Sequence, residues 1–206
     1  MSKIEHFIRQ SWLLIVSAFM FGLLIAVTNA ALSERIIQNE QDELSSLMSG
    51  LITEAGSFET AVEAAQIPAG KGKINQTDIY KAVGGEGKTI GFAFVAVGPG
   101  FADKIKLVIA VDGRCEKFFG FKVLASNETP GFGSKIKDDY LGGQFREVPV
   151  GALELVKTGD AGKIDSEIVA ISGATVSSES VVKIFNTYIG EIKRQLQEKG
   201  LTGNGK

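Results

Sequence analysis

The pattern of hydrophobic and polar positions begins with a long apolar run. Residues 11–32 contain no charged side chain. About 20 apolar residues at about 1.5 Å each are enough to cross the roughly 30 Å hydrocarbon core of a bilayer. We therefore predict a transmembrane helix over residues 11–32. A cleaved signal peptide is the alternative, because Thr28, Asn29 and Ala30 loosely fit a cleavage site. However, the apolar run is longer than the hydrophobic segment of a typical signal peptide.

The charges that flank this run predict its orientation. Lys3 and Arg9 precede it, whereas mostly acidic residues follow it, including Glu34, Glu40 and Glu43. Positively charged flanks stay on the cytoplasmic side of a membrane. We therefore expect residues 1–10 to be cytoplasmic and the main domain to be extracytoplasmic. A single-pass protein of the cell inner (plasma) membrane follows, with membrane lipid as one of its partners.

An amphipathic stretch follows the apolar run. Leu44, Leu47, Met48 and Leu51 follow the i, i+3, i+4, i+7 spacing of one helix face, and Phe58–Ala65 resumes a helical pattern after Gly56. We predict a helical connector over residues 33–66. Its apolar stripe is more typical of core packing than of a partner site.

The region 67–200 has the pattern of a small α+β domain. Short segments rich in β-branched and aromatic residues alternate with glycine turns, which predicts an antiparallel meander. The predicted strands are 80–83, 89–97, 105–111, 117–124, 153–156 and 168–171. Apolar residues at helical spacing from Val181 to Leu196 predict a C-terminal helix. Residues 140–151 have an irregular pattern, and residues 201–206 form a polar, glycine-rich tail that we expect to be flexible. The predicted fold class is α+β: an N-terminal transmembrane helix, then an antiparallel sheet with flanking helices.

The composition of the chain excludes several kinds of binding partner and catalytic site. The formal net charge of −2 gives no signal for a nucleic-acid partner. Cys115 is the single cysteine, which excludes an intrachain disulfide. His6, the single histidine, precedes the apolar run, so the main domain cannot hold a histidine-rich metal site or a Ser-His-Asp triad. A redox role would need an organic cofactor.

Small residues and hydroxyls occupy the junction between the last predicted strand and the C-terminal helix. The segment 172–178 has the sequence SGATVSS. A helix N-terminus offers unpaired N–H groups and the positive end of the helix dipole, which suit a phosphate group. The alternative is that these hydroxyls only cap the helix.

Two loops add to the candidate site. The segment 127–133 has the sequence NETPGFG: Pro130 fixes φ, while Gly131 and Gly133 permit positive φ. Ser134 is placed to cap a short helix after this loop. An earlier glycine-proline turn spans residues 98–101.

The string Ser-Gly-Ala-Thr followed by Val-Ser resembles the flavinylation motif of the FMN-binding domain family, and Glu-Thr-Pro-Gly-Phe-Gly resembles its second signature. The resemblance covers about residues 80–190. It implies a covalent FMN whose phosphate is esterified to the Thr175 hydroxyl by a flavin transferase. At one position this chain departs from the motif: Val169 stands six residues before Thr175, where the family usually has Asp. The implied cofactor-binding residues are Thr175, Ser172, Gly173, Ala174, Ser177, Ser178, Glu128, Thr129 and Gly131.

With its anchor and length, the chain is most similar to the G subunits of Rnf-type electron-transport complexes, and next to the C subunits of sodium-pumping NADH:quinone oxidoreductases. The resemblance implies an electron-relay subunit, without catalytic residues of its own, in a complex that couples ferredoxin:NAD oxidoreduction to ion translocation. Its partners would be the other subunits of that complex. The alternatives are a membrane-anchored FMN-binding regulatory or sensor protein, and a structural anchor in which SGAT is only a helix cap.

Overall fold

The computed structural model describes residues 3–70 and 72–202, which form two compact units divided between Glu43 and Leu44. The first unit consists of most of helix α1 (Lys3–Leu51). Within the described residues, α1 is the one helix that is long and apolar enough to cross a membrane. Its large apolar side chains from Trp12 to Val27 are exposed, as expected of a lipid-facing surface. The predicted transmembrane segment 11–32 lies inside this helix.

The second unit is built on an antiparallel sheet of five strands. The strands are β1 (Ser57–Pro68), β2 (Ile74–Val83), β3 (Thr89–Pro99), β4 (Lys104–Asp112) and β5 (Phe118–Ser126). They neighbour each other in chain order, so the predicted meander is confirmed. The β4–β5 turn begins at Asp112, whose carboxylate accepts the N–H groups of Glu116 and Lys117 at 2.6 and 2.9 Å.

The remaining elements follow the sheet in sequence. They are α2 (Asp139–Gly143), β6 (Glu154–Val156), β7 (Glu167–Val169) and α3 (Thr175–Glu198), with short 3₁₀ helices at Gly85–Gly87 and Gly133–Lys137. Strands β6 and β7 pair in parallel as a separate two-stranded sheet. The helix α2 lies in the segment 140–151, where the sequence analysis expected irregular structure. That expectation was wrong because the helix is short and contains two glycines, Gly142 and Gly143, which are not typical of a helix.

The sequence analysis was also wrong about Phe58–Ala65, which belongs to strand β1 and not to a helix. The reason is a β-bulge. Val62 and Ala65 lie three residues apart, so in a regular strand they would face opposite sides of the sheet. The register shifts between them, Ala64 has a φ of +47°, and its N–H donates to Asp78 Oδ1 at 2.8 Å. Both residues therefore reach the core, and the bulge reproduces the spacing of a helix.

Helix α3 covers one face of the sheet and forms the main core with it. Phe185 on α3 is fully buried against Phe118 and Phe145, with ring centroids at 5.1 and 4.4 Å. Burying a phenylalanine stabilises the fold by about 1.5–3 kcal/mol, so this aromatic cluster anchors α3 on the sheet. Gly98 on β3 allows close contact, because a Cβ at this position would lie 2.4 Å from Ile184 Cγ1.

The opposite face of the sheet is covered by the last turns of α1. Met48 and Ile52 are 2% exposed and pack on small sheet residues, Ala82, Ala93 and Ala110. This confirms that the apolar stripe of residues 44–51 serves core packing. The helical connector therefore ends at Leu51.

The C-terminal end of α3 is closed by a glycine. Gly200 has a φ of +64°, and the Leu201 N–H donates to the Leu196 carbonyl at 2.9 Å. Leu201 is partly buried against the core, so the expectation of a flexible tail from residue 201 was wrong at that residue. The rest of the predicted tail, from residue 203, lies outside the described residues, as do residues 1 and 2 of the predicted cytoplasmic segment.

Candidate functional site

The junction between β7 and α3 is a tight turn. The Ala174 N–H donates to the Ile171 carbonyl at 2.9 Å, and Gly173 has a φ of +80°. A β-turn with positive φ at its third residue favours glycine there. The turn brings Ser172 to the surface and directs the chain into α3.

Thr175 is the first residue of α3, and the N-cap position is occupied by Ala174, which has no side-chain hydrogen bond to offer. The capping alternative for Thr175 was therefore wrong, because an N-cap must precede the first helical residue. Thr175 is partly buried, and its hydroxyl makes no hydrogen bond to any of the described residues. The first-turn N–H groups have no partner inside the helix. This end of α3 thus presents a hydroxyl next to several donors.

Ser178 ties the turn to the helix. Its hydroxyl is fully buried, donates to the Ala174 carbonyl at 3.0 Å and accepts the Ile171 N–H at 3.1 Å. Both its donor and an acceptor site are thereby used within the protein. Ser178 shapes the turn that presents Thr175.

Glu128 joins the three predicted segments of the site. Its carboxylate is 5% exposed, and Oε1 accepts the N–H groups of Phe101 and Ala102 at 2.8 and 3.1 Å. Oε2 accepts the hydroxyl of Ser177. One carboxylate therefore connects the 98–101 turn, the 127–133 loop and the first turn of α3. Hydrogen bonds to a charged acceptor are stronger than neutral ones, so these segments are held firmly.

Two glycines make room for this carboxylate. A Cβ at Gly100 would lie 2.3 Å from Glu128 Oε1, and a Cβ at Gly133 would lie 2.5 Å from Oε2. Both distances are shorter than any van der Waals contact. The glycines of both loops are thus needed for the close approach of Glu128, which the turn pattern alone does not indicate.

The 127–133 loop is internally bonded. The Thr129 carbonyl accepts the N–H groups of Phe132 and Ser134, and the Gly131 N–H donates to Ser134 Oγ at 3.0 Å. Gly131 has a φ of +77°. Ser134 does not cap a helix as expected, because the 3₁₀ helix begins at Gly133 and the Ser134 hydroxyl bonds back into the loop. Thr129 and Gly131 are exposed on the surface of this loop.

Exposed apolar side chains belong to the same segments. Phe101 is 68% exposed, Phe132 59% and Val176 51%. The Phe132 ring lies over the turn, 3.6 Å from where a Cβ of Gly173 would be. Apolar side chains that group together on a domain surface are typical of a binding site for a ligand or a partner, whereas single exposed ones are common. The hydroxyl, the helix N-terminus, the small turn residues and the apolar side chains together fit a ligand with a phosphate and a flat ring, as FMN has.

Gln144 is a site-supporting residue that the sequence analysis missed. Its buried amide accepts the Val169 N–H at 2.7 Å and donates to the Val169 carbonyl at 3.1 Å. It therefore pairs with β7 as a neighbouring strand would. The one available signal was a polar residue between two core residues, Leu141 and Phe145.

Neither a metal-ligand cluster nor a reactive thiol is found in the described part of the chain. Among those residues, no group of three or more His, Cys, Asp or Glu side chains could hold a metal ion. Cys115 is fully buried, and burial raises the pKa of its thiol to about 11. A buried thiol with a raised pKa is a poor nucleophile, because the thiolate is the reactive form.

Comparison with known proteins identifies the domain and the family of the chain. Residues 100–190 match the model of the FMN-binding domain family. The chain is 31% identical to the G subunit of the proton-translocating ferredoxin:NAD(+) oxidoreductase complex of Clostridium ljungdahlii, over 82% of this chain and 83% of that protein. It is 29% identical to the G subunit of the ion-translocating oxidoreductase complex of Methanosarcina acetivorans, over 87% of this chain and 89% of that protein.

Solved structures share the fold. Shewanella oneidensis NqrC aligns with a TM-score of 0.56 and 22% identity, over 71% of this chain and 73% of that chain. The C subunit of Na(+)-translocating NADH-quinone reductase from Parabacteroides distasonis aligns with a TM-score of 0.56 and 17% identity, over 77% of this chain and 95% of that chain. The α+β sheet with its C-terminal helix is thus a fold seen before. The chain belongs to the family of membrane-anchored, FMN-binding G subunits of ion-translocating electron-transport complexes, as its sequence relatives, its FMN-binding domain and its apolar helix show.

Proposed function

We propose that the chain relays electrons through an FMN that is linked by a phosphoester to Thr175, within a complex that couples ferredoxin:NAD oxidoreduction to ion translocation. The observation that supports this most is the position of the Thr175 hydroxyl. Thr175 is partly buried on the first turn of α3, and its hydroxyl is not used as a cap. Ester formation replaces the hydroxyl proton by a bond from oxygen to the phosphorus of FMN. A flavin transferase would take the FMN group from a flavin dinucleotide, FAD, by breaking its pyrophosphate bond, with AMP as the leaving group that accepts the proton.

The neighbours of Thr175 would hold the phosphate. Gly173 and Ala174 have small side chains, so the backbone can approach a phosphate closely, and the Ser172 hydroxyl is exposed beside them. The N–H groups of the first turn of α3 point away from the helix, where they can donate to phosphate oxygens. A phosphate there also lies at the positive end of the helix dipole.

The loops would receive the ring. Phe101, Phe132 and Val176 offer apolar surface, and Thr129 and Gly131 lie on the exposed side of the same loop. Glu128, Ser177 and Ser178 would act indirectly, since their polar groups hold the loops and the helix in register. A bound FMN supplies the electron-transfer chemistry, and the protein sets its orientation and polarity.

The proposed reaction and partners follow from the relatives. The Clostridium ljungdahlii relative is described as part of a ferredoxin:NAD(+) oxidoreductase complex that translocates protons. The other subunits of such a complex would be the partners of this chain. Flavin that is bound but not reduced by membrane redox partners would instead favour a regulatory or sensor role.

The proposed orientation puts residues 1–10 in the cytoplasm and the FMN-binding domain outside the cell inner membrane. Lys3 and Arg9 before the apolar run support it, together with the acidic residues that follow. Protease added outside intact spheroplasts should digest the domain that follows α1. Protection of that domain until the membrane is lysed would reverse the orientation.

The linkage is tested on protein from the native host. A denaturing gel read for flavin fluorescence, followed by intact mass, should show a fluorescent band with the added mass of FMN. Thr175→Ala should give a dark band and an unmodified mass. Thr60→Ala is the matched control, because it removes an exposed threonine hydroxyl on β1, outside the site, and should leave the linkage intact.

Other results would contradict the proposal. Covalent flavin retained in Thr175→Ala would assign the linkage to another hydroxyl, such as that of Ser172, Ser177 or Ser178. A dark, unmodified wild-type protein would exclude covalent FMN and leave at most a noncovalent flavin.

A further inference from the structure

A cavity of about 660 Å³ lies between α3 and the nearby ends of β2, β3 and β4. Its lining includes neither the turn before α3, nor the 127–133 loop, nor the first turn of α3. Cavities of roughly 300–1,000 Å³ are the usual size of small-molecule sites. The volume therefore fits a mononucleotide-sized ligand and is much larger than a single inorganic ion.

The floor of the cavity is apolar. Val97, Pro99 and Ile184 line it, and Gly98 lets α3 pack directly on β3. Beneath the floor, the Tyr188 hydroxyl accepts the Val97 N–H at 3.1 Å and the Asn75 amide at 3.0 Å. These bonds fix the backbone on which a flat ring could rest.

The rim of the cavity is basic. Lys73, Lys104 and Lys183 line it, and no acidic residue does among those the structure describes. Lys183 is paired with Glu179 at 2.7 Å, whereas Lys73 and Lys104 form no ion pair with any described residue. Asp103, next to Lys104 in the chain, attracts it electrostatically but is bonded to the Asn127 amide at 2.9 Å and does not line the cavity. Two lysines without an ion pair to any described residue thus line the cavity, in a chain whose net charge is −2.

We propose that this cavity binds a phosphate monoester carried on a ring-sized apolar body, as in a nucleoside monophosphate. A phosphate monoester carries a charge of about −1.5 to −2 near neutral pH, which matches the ammonium groups of Lys73 and Lys104. Each ammonium group has three donors for the phosphate oxygens. The apolar floor contacts the ring, and the Asn75 side chain lies at the cavity wall beside it.

The test is isothermal titration of AMP, adenosine and inorganic phosphate into the full-length protein in an uncharged detergent. AMP should bind at least about tenfold more tightly than adenosine, since losing a hydrogen bond to a charged group weakens binding by this factor or more. AMP should also bind more tightly than inorganic phosphate, which cannot contact the floor. Binding of AMP should weaken as salt is added.

Charge-matched variants localise the site. The double variant Lys73→Gln/Lys104→Gln should lose at least about tenfold in AMP affinity while melting at the wild-type temperature. The control Lys88→Gln/Lys157→Gln removes two exposed lysine charges that do not line the cavity, and it should bind AMP as the wild type does. Equal binding of AMP and adenosine, no heat of AMP binding up to about 1 mM, or full affinity in the double variant would each overturn the proposal.

Discussion

Replacing Glu128 by alanine removes the carboxylate on which the loops of the site converge. The side chain is 5% exposed and accepts hydrogen bonds from two backbone N–H groups, those of Phe101 and Ala102, and from the Ser177 hydroxyl. The alanine variant leaves these three donors without their acceptor. The hydroxyl can rotate to find another acceptor, but the two N–H groups are fixed by the backbone.

The expected loss can be worked from these bonds. Each hydrogen bond to a charged group contributes about 1.5–3 kcal/mol, so the two N–H groups alone predict a destabilisation of about 3 kcal/mol or more. A domain of about 150–250 residues loses about 2–4 °C in melting temperature per kcal/mol, which gives about 6–12 °C. Glu128→Gln keeps an oxygen for the two N–H groups, and the Ser177 hydroxyl can then accept from the amide. We expect that variant to lose only about 1 kcal/mol.

The assay is thermal unfolding of full-length variants in detergent, followed by near-ultraviolet circular dichroism. Glu116→Ala is the control, because it removes an exposed carboxylate from the β4–β5 turn and should melt near the wild-type temperature. The reasoning is refuted if Glu128→Ala melts together with Glu116→Ala. It also fails if the glutamine variant is as unstable as the alanine variant.

Three further predictions concern residues around the site. In denaturant titrations, Gly133→Ala should lower the free energy of unfolding by about 1–3 kcal/mol, because its Cβ would overlap the Glu128 carboxylate. Gly142→Ala should be nearly neutral in the same titrations, because there is open space around its Cβ. Gln144→Leu should cost about 2–3 kcal/mol in the same titrations, since it leaves the N–H and carbonyl groups of Val169 unpaired; wild-type stability would contradict the pairing. Cys115 should resist iodoacetamide at pH 8 until the protein unfolds, as intact mass can show, because a pKa of about 11 leaves roughly one thiol in a thousand ionised; rapid labelling of folded protein would contradict its burial.

The sheet and the C-terminal helix could be predicted because their patterns are local. Residues 89–97 and 105–111 are dense in β-branched and aromatic side chains, and the Asp112–Gly113 turn separates β4 from the next strand. Apolar residues from Val181 to Leu196 repeat at helical spacing because one face of α3 is buried on the sheet. An element that is buried on one face therefore has apolar residues at regular intervals in its sequence.

Strand β1 could not be predicted because its bulge interrupts the regular spacing of apolar residues. Val62 and Ala65 face the same core although they lie an odd number of positions apart, which a two-residue period cannot describe. The same argument applies to any strand in which a residue such as Ala64 takes a positive φ.

The location of the candidate site was predictable, but its internal bonds were not. The motifs indicated the turn at Thr175 and the loop at Glu128 as neighbours. The bond between Glu128 and Ser177 joins residues 49 positions apart, and the pairing of Gln144 with Val169 spans 25. Such pairs follow from the tertiary structure and leave no spacing pattern. The roles of Ser177 and Ser178 as supports for the turn, and not as caps, belong to the same class.

The sequential order of the five strands has a consequence for biosynthesis. Each strand pairs with the one made just before it, so the sheet can assemble while the chain is still emerging from the ribosome or the membrane. Helix α3 is made last, and it packs against β1 and β3, from early in the domain. The bond from Ser177 to Glu128, which ties the Thr175 turn to the two loops of the site, can form only when α3 docks. The geometry around this threonine is therefore a property of the finished domain, and a truncated or nascent chain that lacks α3 does not have it.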